Sequence, residues 1–160
     1  VSGFISPANP KKIGWGVGPV FALPLSTDPF LGSGRWSAGP TVLVLKQAGH
    51  WTLGTLANHL WSFGGDAGRA SVSSTYVQPF VAYGTKSGYT FTLSSESAYN
   101  WEAEDSDQAW TVPILFNFSK VLRLGKRPLS IGIGGGKYVK TPDEGPEWKL
   151  RMTLTLIFPK

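Results

Sequence analysis

The chain contains no cysteine, so disulfides and thiolate metal sites are excluded. Its two histidines, His50 and His59, have no carboxylate cluster beside them and make a poor metal site. Charged residues make up only 16%, and the net charge of +5 comes from lysines and arginines spread along the chain. That charge could attract anions, but no run resembles a basic nucleic-acid arm. No apolar run reaches the ~18 residues of a spanning helix. This does not exclude a membrane, because the strands of a spanning β-barrel are only half apolar. No helical period occurs anywhere. The chain begins without Met and carries no signal peptide, so a mature or trimmed form is expected.

What is present is glycine, at 20 residues, and tryptophan, at 7. Both suit a β-rich chain with many turns and with tryptophans at a boundary. The last stretch, Trp148 to Lys160, shows the pattern best. Trp148, Leu150, Met152, Leu154, Leu156 and Phe158 alternate with Lys149, Arg151, Thr153 and Thr155. Period two is a β-strand with one apolar and one polar face. The apolar face runs for about ten residues, the length of a tilted strand crossing a bilayer.

The pattern repeats. Strands are expected over 13–24, 36–46, 51–62, 71–84, 89–101, from 110 to the turn at 124, 128–139 and 148–160. Long connections (25–35, 63–70, 102–108 and 140–147) alternate with short ones (47–50, 85–88 and 124–127). Aromatics gather near strand ends, among them Trp15, Trp36, Trp51, Trp61, Tyr89, Trp101 and Trp110. Alternating loop lengths and aromatic girdles mark transmembrane barrels. The expected fold is therefore all-β: an antiparallel up-and-down transmembrane β-barrel with eight strands visible, either the whole wall or part of a larger one. Residues 1–12 form an N-terminal arm or turn, and 13–160 the barrel domain. Long loops face outward; the arm and short turns face the periplasm. A soluble lipocalin-like barrel would need the opposite polarity of faces.

Candidate lumen-lining residues are Glu96, Asn100, Glu102, Asn117, Lys149 and Arg151, with Asn58 and Gln78 beside them. An eight-stranded interior is just wide enough for side chains, and a carboxylate there must be paired. Two readings stand: a structural network of Glu96 or Glu102 with Lys149 or Arg151, or the selectivity lining of a pore. Leu150, Met152, Leu154, Leu156 and Phe158 would face lipid. His59, Ser62 and Asp66 lie close in sequence, as in a rim hydrolase. On a strand, however, His59 and Ser62 point to opposite faces, so no enzyme is expected. The acidic stretches 102–107 and 143–147 are solvated loops or weak divalent-cation sites. Gly132-x-Gly134-Gly135-Gly136 precedes no helix and is not a nucleotide loop; these glycines fit curvature or close packing. No cofactor and no metal are expected.

Several stretches carry a family resemblance. They are Trp15-Gly-Val-Gly-Pro-Val-Phe21, Leu31-Gly-Ser-Gly-Arg-Trp36 with Gly39-Pro40, Leu56-Ala-Asn-His-Leu-Trp-Ser62, Gln78-Pro79-Phe80, Asn100-Trp-Glu-Ala103, Trp110-Thr-Val-Pro113 and Gly145-Pro-Glu-Trp148, closing in Leu156-Ile-Phe-Pro-Lys160. In order and spacing, these resemble the Gram-negative outer-membrane β-barrel proteins named as transporters or phenol-degradation MetA-pathway proteins. The resemblance implies a Gram-negative outer-membrane location and passive, porin-like passage of small, hydrophobic or aromatic molecules. It also implies further strands before Ile13, or an oligomer, because members of the family are usually longer. Outer-membrane lipid would be one partner. The barrel-assembly machinery would be another, through the C-terminal strand, since Phe158 resembles the terminal aromatic that machinery recognises. A non-transporting structural or adhesive barrel is the alternative function.

Overall fold

The structure is a computed structural model, and it describes residues 1–7, 13–24, 33–66, 68–124, 127–143 and 145–156. Its strands are β1 (Ile13–Ala22), β2 (Arg35–Ala48), β3 (Trp51–Gly65), β4 (Ser73–Gly84), β5 (Tyr89–Ser94), β6 (Ser97–Asn100), β7 (Trp110–Leu124), β8 (Arg127–Lys140) and β9 (Trp148–Leu156). Among the described residues the only helix is one turn, α1 (Ser106–Ala109), capped by the Asp105 side chain accepting from the Asp107 amide. It falls inside the acidic stretch, where no helical period is visible.

All nine strands form one antiparallel sheet that follows the order of the chain. β5 and β6 lie end to end between β4 and β7, so nine strands fill eight positions. The single strand expected over 89–101 is thus interrupted at Ser95 and Glu96. Proline explains the break. Ser95 donates its amide to the Pro79 carbonyl at 3.1 Å, and Pro79 has no N–H to return. On the other side the Ser95 hydroxyl takes the Pro113 carbonyl at 2.7 Å.

Register gives the sheet two chemically distinct faces. Thr41 pairs with Asn58, Asn58 with Tyr76, Thr92 with Asn117, Asn117 with Gly134, and Gly134 with Arg151. On the other face Trp15 pairs with Val44, Leu53 with Val81, Leu93 with Phe116, and Ile133 with Met152. Burial is inverted relative to a protein folded around an oily centre. Ser37, Thr41 and Ser94 are 1%, 3% and 7% exposed, whereas Met152 is 80% exposed and all seven tryptophans are exposed. No second layer of described residues covers the polar face. Only curling of the sheet on itself can bury it, so the polar face is the concave one.

Loop lengths alternate along this sheet. β2 and β3 meet through Gly49 and His50 alone, with Gly49 at φ 61°, a left-handed conformation that glycine adopts at no steric cost. Residues 85–88 join β4 to β5, while 66–72, 101–109 and 141–147 make the longer links. The N-terminal residues do more than turn. Ile5 and Val17 exchange both amide bonds, and the Phe21 amide reaches the Val1 carbonyl at 2.7 Å. Residues 1–5 therefore run antiparallel beside β1 as a further edge of the sheet. At the opposite edge, among the described residues, β9 pairs only with β8.

Candidate functional site

The concave face carries one ionic cluster. Glu96 sits in the gap between β5 and β6, and Lys149 and Arg151 project from β9, three strand positions away. Lys149 Nζ lies 2.6 Å from Glu96 Oε2, and Arg151 Nη2 lies 2.7 Å from Oε1 and 2.9 Å from Oε2. The carboxylate side chain is 11% exposed, so its charge needs both partners. Of the two carboxylates that the sequence leaves open, Glu96 is therefore the one paired.

Two glycines of β8 lie beside the cations in the register. Gly136 is the register partner of Lys149, and Gly134 that of Arg151. The two cationic side chains reach from β9 past β8 and β7 to the carboxylate. The space is already spoken for. A Cβ on Gly134 would fall on the Asn117 side-chain oxygen, and one on Gly136 on the Ile114 carbonyl. Of the two roles expected of these glycines, curvature or close packing, the contacts at Gly134 and Gly136 show close packing.

Next to the cluster is a polar cavity of about 340 Å³, lined in part by Gln78, Thr92, Ser94, Asn117, Arg151 and Thr153. Gln78, Asn117 and Arg151 are lumen candidates by residue type and Thr153 by its place on the polar face of the last strand; Thr92 and Ser94 carry the same alternation with no charged or amide group to mark them. Arg151 spends Nη2 on Glu96, and its Nε and Nη1 have no partner among the described residues. Asn100 shares the concave register but sits at the rim. Its side-chain carbonyl accepts the Glu102 amide at 3.1 Å, and Glu102 itself is exposed in the turn beyond. Asn58 lies on the concave face with Tyr76, whose hydroxyl donates to Gln78 at 3.1 Å.

The long links at the rim are tied to each other. Gln108 Nε2 donates to Asp143 at 2.8 Å, the Asp143 amide returns a bond to Gln108 Oε1 at 2.7 Å, and Lys140 pairs with Asp107 at 3.2 Å. Asp107 thus has a lysine partner. Among the described residues no group of three His, Cys, Asp or Glu could hold a metal ion.

His59 lies on the apolar face. Its Nδ1 meets Thr75 Oγ1 at 2.7 Å, and its ring packs against Trp61 at a centroid distance of 4.0 Å, tilted by 45°. Ser62 is occupied elsewhere, accepting the Val72 amide at 2.9 Å, and Asp66 accepts the Gly68 amide at 2.9 Å. The three residues do not converge on a reacting centre. Leu150, Met152, Leu154 and Leu156 stand exposed on the apolar face; Phe158 lies outside the described residues. Comparison with protein-family models, curated proteins and solved structures returns no match for this chain.

Proposed function

We propose that this sheet is the wall of a transmembrane β-barrel in the outer membrane of a Gram-negative cell, and that it passes small molecules passively. The observation that carries the reading is the spacing of the aromatic belts. Trp51 and Trp61 lie on the same face of β3, ten residues apart. That is roughly 33 Å along the strand, and about 25 Å across a membrane at a tilt near 40°, the height of an outer-membrane apolar band. Trp36, Trp101, Trp110 and Trp148 fall at the Trp61 rim, and Trp15, Tyr83 and Tyr89 at the Trp51 rim. Between the belts the convex surface is apolar and the concave surface hydroxyl- and amide-rich.

The polar concave face supports a solute path, and the family resemblance supports passive transport of small, aromatic or hydrophobic molecules. Lipid is the surrounding partner; the C-terminal strand is the segment offered to the assembly machinery. Closure requires the β9 edge to meet the 1–5 edge, or further strands between them from this chain or another copy. Purified protein refolded into a planar bilayer should give discrete conductance steps in potassium chloride. Monomeric solubility without detergent, or inserted protein that never conducts, overturns the reading.

A further inference from the structure

We infer that the wall contains a lateral port for small apolar or aromatic solutes at the junction of β5 and β6, opening from the polar cavity onto the membrane-facing surface. This rests on the barrel reading above and says where such a solute leaves the interior. Three observations meet at one level of the sheet.

The hydrogen-bonded ladder is broken there. An antiparallel pair bonded through Ser95 and Pro79 should exchange two amide bonds, and proline allows only one. Across the next seam, Pro113 likewise has no amide to give, and its carbonyl is held by a serine side chain. Both seams flanking residues 95 and 96 are therefore short of main-chain bonds at the same height.

Two spaces also face each other across the sheet there. On the convex side an apolar groove of about 480 Å³ is bounded by Leu53, Val81, Leu93 and Ile114. Phe80 and Ser94 line both this groove and the polar cavity on the other side. As anywhere in a sheet, one strand layer separates the two spaces; at this level that layer is short of main-chain bonds.

The chemistry changes sign across that layer. A solute entering from the concave side meets Gln78, Thr92 and Asn117; on the far side Leu53, Val81, Leu93, Ile114, Pro79 and Phe80 dominate, with Ser94 and Ser95 at the junction itself. An apolar or aromatic molecule gains by moving outward, at about 25 cal/mol for each Å² it removes from water. A sugar or an ion gains nothing. The groove therefore selects apolar solutes, and the polar cavity stays the path for hydrophilic ones.

The test restores the missing amides. In cells carrying the protein in the outer membrane, uptake of N-phenylnaphthylamine should exceed that of cells without it. The variant P79T/P113T should fall to that background while its potassium chloride conductance in planar bilayers stays within twofold of the parent. Amide exchange at residues 95–97 should slow at least tenfold in the same variant. As an independent block, the pair P79C/S95C can be closed by oxidation in this cysteine-free chain. Bonded partners stand about 5.5 Å apart at Cα, within disulfide range. Uptake should be lost on oxidation and return on reduction. Uptake by P79T/P113T or by the oxidised pair equal to the parent's overturns the port. So does a parent that conducts ions but takes up no probe, which leaves the barrel reading standing. A parent that does neither overturns both.

Discussion

Glu96 is held by two cations, and the arrangement is asymmetric in what it tolerates. Removing the carboxylate leaves Lys149 and Arg151 side by side, 32% and 38% exposed, partly relieved by water but no longer neutralised. Glu96→Gln should therefore lower the free energy of unfolding from phospholipid vesicles by roughly 1–3 kcal/mol, read by urea titration. An unchanged midpoint would show that the cluster does not hold the wall. The glycine at 134 gives a sharper test. Its missing Cβ is the space filled by the Asn117 amide. Gly134→Ala should cost about 1–3 kcal/mol, and the double variant with Asn117→Ala should recover most of it. A loss that Asn117→Ala does not relieve would place the strain elsewhere.

Under the barrel proposal the two faces of a strand meet opposite solvents, so neighbouring positions should respond oppositely to the same charge. Leu93, mid-strand on the convex face, lies beside Val81 and Phe116. Leu93→Arg should cost about 2–4 kcal/mol of stability in a bilayer. Thr92→Lys, one residue away and facing the polar cavity, should leave insertion intact. Equal losses at 92 and 93 would contradict the assignment of faces. Period two made these faces legible from sequence, because the side-chain direction repeats with the backbone. The break at Ser95 was not legible. The alternation Leu93, Ser95, Ser97, Tyr99 runs on through it, and the cause lies in Pro79 and Pro113, on two other strands. The ionic cluster was half legible for the same reason. Residue type nominated Glu96 and Glu102 equally; only the register that puts Gly134 and Gly136 beside Arg151 and Lys149 decides between them. The helical turn at Ser106–Ala109 is too short to show a period, and its cap is a single local contact.

For the sheet taken whole, short turns lie at one rim and long links at the other. Under the barrel proposal a wall so built takes one orientation in the membrane. Because the chain has no cysteine, a single introduced thiol reports it without background. Glu104→Cys, in the exposed 101–109 link, should react with a membrane-impermeant maleimide on intact cells, and Ser87→Cys, in the 85–88 turn, only after lysis. Labelling of Ser87→Cys on intact cells would invert the topology.

With β5 and β6 counted as one position, each strand pairs with the strands next to it in the chain. A duplicated or deleted hairpin would therefore leave every other residue on its own face and every other register intact, and the circumference could change by two strands at a time. One contact breaks that freedom. Glu96 is tied to Lys149 and Arg151 across β7 and β8, so an insertion between them would pull the carboxylate from both its cations. Variation in girth is open on the β1–β4 side of the sheet and pinned on the side that runs from Glu96 to β9.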